Sequence, residues 1–167
     1  MVNAFWLDED VEQAAAWLVD DHVLSSILEN HLTLATALAI RGHPSEALPV
    51  THRNHPLPRW AARHPDNWRR LYAYVQACHE EWRYRWDHDD EVHGSWAKLQ
   101  AIDLEGLEEL DWPGEPSKPP HLTGDWEADT VVDAYRLYYA NDKRDLFSWT
   151  KRDPPAWLED YRREPQG

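Results

Sequence analysis

The sequence predicts a mostly α-helical protein, folded as a single compact domain of about five to six helices with long proline-rich loops and an aromatic-basic C-terminal segment. Three observations predict this class. Apolar residues recur at helical spacing in several long segments, no run alternates convincingly with a period of two, and nothing repeats internally. The chain has 167 residues, 42% of them hydrophobic, which suits one domain over residues 1–167 with a sizeable core.

The first two predicted helices follow acidic residues. Asp8 is a candidate N-cap for the segment EDVEQAAAWLVD, and Asp20 or Asp21 begins a long, mostly apolar helix. Gly42, followed closely by Pro44, ends that helix. Residues 43–58 contain four prolines, so we expect an irregular loop there.

The later helices follow from proline positions and apolar spacing. Pro65 suits the first position of a helix that continues through DNWRRLYAYVQACHEEWRYRW. Residues 91–110 are expected to form one or two short helices, and DWPGEPSKPPHLTGDW a long loop. The segment ADTVVDAYRLYYAND predicts a further helix, which precedes the aromatic C-terminal segment.

The composition excludes several classes of protein. Cys78 is the only cysteine, which excludes an internal disulfide and a cysteine-based zinc site, and the histidines lack the spacing of a known zinc motif. We therefore expect no metal and no other cofactor. Neither a signal peptide nor a stretch of ~18 apolar residues is visible in the sequence. We expect a cytoplasmic, monomeric protein without a membrane span.

Charge is distributed unevenly along the chain. The net charge of −14 arises from 31 acidic and 17 basic residues, which suits a salt-rich cytoplasm or high solubility and argues against a generic nucleic-acid-binding protein. Residues 51–86, however, contain seven arginines against three acidic residues, a local balance of +4. The segment DKRDLFSWTKR is a second basic cluster. Positive charge is therefore concentrated in two segments rich in aromatic residues.

The long helix carries an unusual polar stripe. His22, Ser26, Glu29 and Thr33 recur at steps of four, three and four. Seven residues are two helical turns less ~20°, so His22 and Glu29 share a face about 10 Å apart along the axis. The stripe is either a solvated face, or the floor of a site that a ligand approaches closely. The small Ser and Thr side chains favour the second interpretation.

Four segments carry a resemblance to a known family: MVNAFWLDED, DDHVLSSILE, HPDNWRRLYAYVQACHEEWRYRW and LFSWTKRDPPAW. They resemble the pyrimidine-dimer DNA glycosylases of the endonuclease V type, particularly the short phage and archaeal relatives. The second segment matches that family's Asp-x-His helix with a Glu seven residues after the His, which is the most specific of the four matches. Together the four segments span most of the chain.

The resemblance implies a mechanism. In that family the N-terminal α-amine attacks the sugar C1′, displaces the base and forms a Schiff base that permits β-elimination. It implies that the amine of Val2, or of Met1 where Met1 is retained, is the nucleophile. Glu29 would serve as acid/base and charge stabiliser, and His22 would line the same site. An α-amine suits this role because its pKa of about 7.7–8.0 leaves a useful fraction neutral at pH 7.

Two positions depart from the family pattern and bear on the substrate. Val2 stands where better-studied members expose a Thr amine, and Leu28 and Leu32 lie near positions where the family carries Arg. The substrate therefore stays open between a pyrimidine dimer, a different lesion and a modified base. A loss of activity is a further alternative.

Arg and Asn in a proline-stiffened loop, and aromatic with basic residues in the tail, are typical of phosphate and base contacts. For the loop, the alternative is that Asn54 only forms a turn, and for the tail that its Trp residues attach it to the core. The residues predicted to contact nucleic acid are Asn3, Ser26, His52, Arg53, Asn54, His55, Arg59, Arg63, Trp149, Lys151 and Arg152.

The sequence thus leads to an expected function. We expect a DNA base-excision glycosylase, with or without AP-lyase activity, that acts on damaged or modified pyrimidines and has duplex DNA as its partner. Two alternatives remain open. One is an enzyme that acts on free nucleotides or RNA with the same scaffold, and the other is a non-catalytic nucleic-acid-binding module.

Overall fold

Residues 2–164, the part of the chain that the computed structural model describes, contain seven α-helices and two short 3₁₀ turns joined by loops. No strand occurs within these residues, which confirms the predicted all-α class and the single compact domain. The helices are α1 (Val11–Ala16), α2 (Asp20–Ile40), α3 (Pro56–Ala61), α4 (Pro65–Arg85), α5 (Gly94–Gln100), α6 (Val131–Asp142) and α7 (Leu158–Tyr161), and the 3₁₀ turns are Leu107–Glu109 and Arg144–Leu146.

The centre of the fold is α2, which packs against α3, α4 and α5. Six of its apolar residues are buried, namely Val23, Ile27, Leu34, Ala35, Ala37 and Leu38, and the indole Nε1 of Trp68 on α4 donates to the Leu34 carbonyl at 3.0 Å. By length and composition α2 is apolar enough to cross a membrane, with a mean hydropathy of 1.4 over a window that is 61% buried inside the protein. This differs from the expectation that no stretch of the sequence is long and apolar enough to span a membrane. Core helices of folded domains meet the same criterion.

An extended N-terminal segment, residues 2–7, is buried between the helices. The Phe5 amide donates to the Tyr74 hydroxyl at 3.0 Å, and the Asn30 side chain on α2 donates to the Asn3 carbonyl at 2.9 Å. These hydrogen bonds satisfy backbone groups that would otherwise be unpaired in the core. They also hold the start of the described chain beside the polar side of α2.

The helix boundaries follow the sequence closely, with two corrections. Asp10, not Asp8, caps α1, by accepting from the Glu12 amide. The loop predicted over 43–58 ends at His55, because the His55 side chain caps α3 and Pro56 occupies its first position. Pro65 begins α4 as predicted.

Arg85 joins three elements in the interior. Its fully buried guanidinium donates to the Leu18 carbonyl at 2.7 Å and the Ala16 carbonyl at 3.0 Å, and pairs with Asp20 and Glu81. It therefore satisfies carbonyl groups left unpaired at the end of α1. It also fixes the start of α2 against the end of α4.

Candidate active site

Two cavities meet at Glu29. The first, here called the Lys143 cavity, has a volume of about 180 Å³ and is lined by Asn3, Phe5, His22, Ser25, Glu29, Tyr138 and Lys143. The second, the His52 cavity, has a volume of about 150 Å³ and is lined by Val2, Leu28, Glu29, Leu32, Thr51 and His52. Glu29 belongs to both linings, so its side chain lies where the two cavities adjoin.

The face of α2 that lines the Lys143 cavity carries His22, Ser25 and Glu29, at steps of three and four. His22 and Glu29 therefore line one cavity, as their spacing predicts. Ser26 does not. It is 1% exposed, and its hydroxyl hydrogen-bonds to the Tyr74 hydroxyl at 2.9 Å, because one further residue turns it towards α4. This corrects the prediction of Ser26 as a nucleic-acid contact.

The tautomer of His22 is fixed by its partners. The ring stacks on Phe5 with centroids 3.9 Å apart, and Nδ1 lies 2.6 Å from the hydroxyl of Tyr139. That hydroxyl already accepts from the Val19 amide at 3.1 Å and is fully buried, and Nδ1 is the acceptor that the described residues offer to its own proton, so Tyr139 donates to Nδ1. The imidazole proton therefore resides on Nε2. No hydrogen bond to Nε2 is formed by residues 2–164, and Nε2 is not among their buried polar atoms without a partner.

Burial keeps His22 uncharged. Desolvation, together with the positive charge of Lys143, lowers the pKa of His22 to about 3. The imidazole is therefore neutral near pH 7. It offers the cavity a fixed hydrogen-bond donor and is not a proton-donating acid.

Lys143 contributes the positive charge in the lining of this cavity. It follows the last turn of α6, and its Nζ lies 4.7 Å from the ring centroid of Tyr138, a distance typical of a cation–π contact. Among the described residues no carboxylate lies within ion-pair distance of Lys143. The lining thus combines one carboxylate, one ammonium and one neutral donor with two aromatic rings.

The Asn3 side chain, which lines this cavity, is held by hydrogen bonds within the protein. Its Oδ1 accepts from the Ala4 amide at 2.8 Å and from the Tyr135 hydroxyl at 2.8 Å, and its Nδ2 donates to the Leu122 carbonyl at 2.9 Å. The amide group is therefore occupied within the protein. Because Asn3 nevertheless lines the Lys143 cavity, its contact with nucleic acid stays a prediction.

The loop before α3 reaches the His52 cavity through Thr51 and His52. The Thr51 amide donates to the Thr36 hydroxyl at 3.0 Å, which holds the loop on α2, and His52 adopts a left-handed backbone with φ of +50°. Arg53 and Asn54 form the exposed turn that follows. His55 caps α3 through its Nδ1, which accepts from the Leu57 amide at 3.1 Å, and it is not part of the cavity lining. The structure thus places His52 at the cavity, while the predicted contact of His55 with nucleic acid stays a prediction.

Arg53, Arg59 and Arg63 are exposed, and in the described part of the chain none of their side chains forms an ion pair. They line neither cavity, although Arg53 follows His52 directly. Their charge is available to an anionic partner close to the loop. The prediction that these arginines contact nucleic acid stays a prediction.

The C-terminal basic residues lie away from both cavities. The Trp149 indole donates to the Trp17 carbonyl at 2.9 Å, Lys151 pairs with Asp87, and Arg152 pairs with Glu81 at 2.5 Å. Acidic side chains near the end of α4 neutralise both cations. The expectation that Lys151 and Arg152 border the pocket is therefore wrong. Lys143 is the cation from this part of the chain that does.

Sequence reasoning missed four residues of the Lys143 cavity: Phe5, Ser25, Tyr138 and Lys143. Ser25 could have been predicted from helical spacing, because it lies one turn from both His22 and Glu29. Nothing in the sequence predicts Tyr138 and Lys143 as members of the cavity, since only the packing of α6 brings them to α2. Met1, the other candidate for the nucleophilic amine, lies outside the described residues. Within those residues no group of three or more His, Cys, Asp or Glu side chains is placed to hold a metal ion.

Comparisons with protein-family models, with curated proteins and with solved structures find no match to this chain.

Proposed function

We propose that the two cavities at Glu29 form the active site of an enzyme that cleaves the N-glycosidic bond of a damaged or modified pyrimidine nucleotide in DNA. The observation that carries this proposal is the meeting of Glu29, His22 and Lys143 around one small cavity that adjoins Val2. The resemblance to pyrimidine-dimer glycosylases rests on the same helix, through the His and the Glu seven residues apart.

The carboxylate of Glu29 suits the charge that this reaction develops. Glycosidic cleavage passes through an oxocarbenium-like sugar, and a carboxylate beside C1′ stabilises that positive charge. Glu29 also accepts a proton from the attacking group, as a general base does.

The nucleophile in this proposal is the N-terminal α-amine, on Val2 or on a retained Met1. The amine forms a bond to C1′ as the bond from C1′ to the base breaks, and Glu29 takes the proton that the amine loses. Glu29 then returns this proton to O4′ as the bond from C1′ to O4′ breaks, which opens the sugar ring and leaves a protonated imine at C1′. The imine permits β-elimination, in which C2′ loses a proton and the 3′ phosphate departs, and this is the accompanying lyase activity. Support for this assignment comes from Val2, which lines a cavity together with Glu29.

The size of the cavities favours a single base. Each is smaller than the roughly 300–1,000 Å³ typical of pockets for drug-sized ligands. One nucleotide extruded from the duplex suits such a space, with Phe5 and Tyr138 as aromatic walls. Arg53, Arg59 and Arg63 supply unpaired positive charge for the DNA backbone beside the lesion.

The net charge of −14 favours a second candidate, an enzyme that cleaves the same bond in a free nucleotide. Such a substrate needs no extended basic surface. The chemistry assigned to Glu29 and the amine is unchanged in this alternative. Only the size of the substrate differs, so one experiment addresses both.

Borohydride trapping tests the proposal directly. The protein is incubated with duplexes that carry a panel of modified pyrimidines, and in parallel with the corresponding free nucleotides, and base release and covalent adducts are measured. We expect Glu29→Gln to retain substrate binding but to release base about 10²–10⁴-fold more slowly, because it loses the charge and the proton acceptor. Glu127→Gln, an exposed matched control, should behave as the wild type.

The amine is tested on the same substrates with protein acetylated at its N-terminus. The covalent adduct should disappear. If capped and free protein are equally active, a water molecule activated by Glu29 is the nucleophile. If the wild type releases no base from any substrate, the proposed function is wrong.

A further inference from the structure

The Lys143 cavity holds two hydrogen-bond donors whose positions are fixed by the fold. The Lys143 ammonium is held above the ring of Tyr138 at 4.7 Å, directly after α6. The Nε2–H of His22 is fixed because Tyr139 donates to Nδ1 at 2.6 Å, and because stacking on Phe5 holds the plane of the ring. Donors held in this way need no reorganisation when charge develops beside them.

The same cavity also holds a carboxylate. Glu29 and His22 lie two turns apart on one face of α2, and the positive charge of Lys143 acts on His22, so a substrate bound there meets negative charge near one end of that face and a neutral donor with positive charge near the other. Cleavage of a glycosidic bond separates charge in the same sense. The sugar becomes positive at C1′, and the departing base becomes negative.

We propose that Lys143 Nζ and His22 Nε2–H bind the departing pyrimidine and stabilise the negative charge on its O2 carbonyl oxygen. This assignment rests on the proposed function. As the bond from C1′ to N1 breaks, its electron pair moves to the base and is shared between N1 and O2, while the nucleophile forms the new bond to C1′. The base leaves as an anion held by the two donors, and takes its proton from water after release. The ligand class is a six-membered heteroaromatic ring with a carbonyl next to the glycosidic nitrogen.

A series of leaving groups tests this assignment. Oligonucleotides carry 2′-deoxyuridines with different 5-substituents, from 5-fluorouracil, which departs readily, through uracil to thymine, which departs less readily. Single-turnover base release is measured for the wild type, for Lys143→Met and Lys143→Arg, and for the exposed matched control Lys118→Met.

We expect Lys143→Met to slow the release of the poorest leaving group about 10²–10³-fold, the effect of removing one preorganised donor. The loss should shrink steadily towards 5-fluorouracil, because a base that stabilises its own charge depends less on the donors. Lys143→Arg keeps a cationic donor and should recover part of the rate, and Lys118→Met should match the wild type.

Other results would overturn the assignment. An equal loss for every leaving group would identify Lys143 as a contact to phosphate or sugar. No loss on any substrate would exclude it from the active site. A wild type that releases base from the panel of modified pyrimidines but from no member of this series would overturn this assignment alone, as would an active wild type with a flat response in Lys143→Met. A wild type that releases no base from the panel, the free nucleotides or this series would overturn the proposed function as well.

Discussion

At the scale of single residues, Tyr139 determines what His22 offers to a ligand. The phenol accepts from the Val19 amide and donates to His22 Nδ1, and both Tyr139 and the imidazole are buried. Burial raises the pKa of Tyr139 well above its usual range, so the phenol keeps the proton that it donates. Tyr139 is therefore a positioning residue, which acts on the cavity through His22.

Tyr139→Phe tests this role. The variant should lose the single tautomer of His22, because Phe cannot donate to Nδ1, and ¹⁵N NMR of the imidazole should show a mixture in place of protonated Nε2 alone. Base release should fall about 5–10-fold, the kinetic equivalent of one hydrogen bond worth about 1 kcal/mol. Tyr84→Phe, at an exposed tyrosine, is the matched control. An unchanged tautomer in Tyr139→Phe would show that Tyr139 does not fix it.

Local spacing predicts His22 and Glu29 as members of one site, because a helix places residues seven apart on one face whatever surrounds it. It does not separate Ser25 from Ser26, since both are small and polar and only the position of α4 decides which one is buried. Lys143 could not be predicted either. Its place depends on how α6 and the turn after it pack against residues more than a hundred positions earlier.

At the scale of helices, three elements begin at a histidine. His55, His64 and His93 each accept, through Nδ1, from the backbone amide two residues on, at the starts of α3, α4 and α5. The usual side-chain caps are Ser, Thr, Asp and Asn, and none of them directly precedes Pro56. The start of α3 was therefore not predicted, and residues 43–58 were expected to form a loop. A neutral imidazole serves the same purpose, but a protonated Nδ1 has no lone pair to accept with.

His93→Asn tests whether the cap of α5 makes the fold sensitive to acid. Burial, and next the charge of His88, lowers the pKa of His93 below its usual value of about 6.5. The folded state therefore binds fewer protons than the unfolded state just below that pH. The stabilisation is complete above about pH 6.5 and is lost as the pH falls through the lowered value.

Urea unfolding at pH 7.5 and pH 5.5 measures this loss. His93→Asn should keep a cap at both pH values, and its free energy of unfolding should fall less on acidification than that of the wild type, by an amount on the order of the ~1 kcal/mol that one cap contributes. The bond from the His93 amide to His79 Nε2 involves backbone and is retained. An identical fall in both proteins would show that the His93 cap does not titrate in this range.

At the scale of the whole molecule, long-range ion pairs decide where positive charge remains. The sequence shows seven arginines between residues 51 and 86. The structure pairs four of them, Arg69 with Glu108, Arg70 with Glu9, Arg83 with Glu80, and Arg85 with Asp20 and Glu81. Several of these partners come from distant parts of the chain, so the sequence could not predict which arginines stay unpaired. Within residues 2–164, Arg53, Arg59 and Arg63 have no such partner.

The positive charge of these three arginines leads to a prediction of how the affinity for duplex DNA depends on salt concentration. A protein that neutralises phosphates releases counterions, and the logarithm of its affinity for duplex DNA falls with the logarithm of salt concentration by about 0.9 per phosphate contacted. We expect Arg53→Gln, Arg59→Gln and Arg63→Gln each to weaken binding and to reduce that slope by about 1.

Arg152→Gln provides the contrast, because its guanidinium already pairs with Glu81. It should leave the salt slope unchanged and lower stability instead, since Glu81 loses a partner beside the buried Arg85. Fluorescence anisotropy with a labelled duplex between 50 and 200 mM salt, roughly the range over which such contacts are resolved, measures the slopes. If Arg152→Gln alone changes the slope, the C-terminal segment contacts the DNA in place of the three arginines. If the wild type binds duplex DNA without salt dependence, neither segment is a DNA contact, and the proposal for the site at Glu29 changes to an enzyme for free nucleotides, the substrate that the net charge favours.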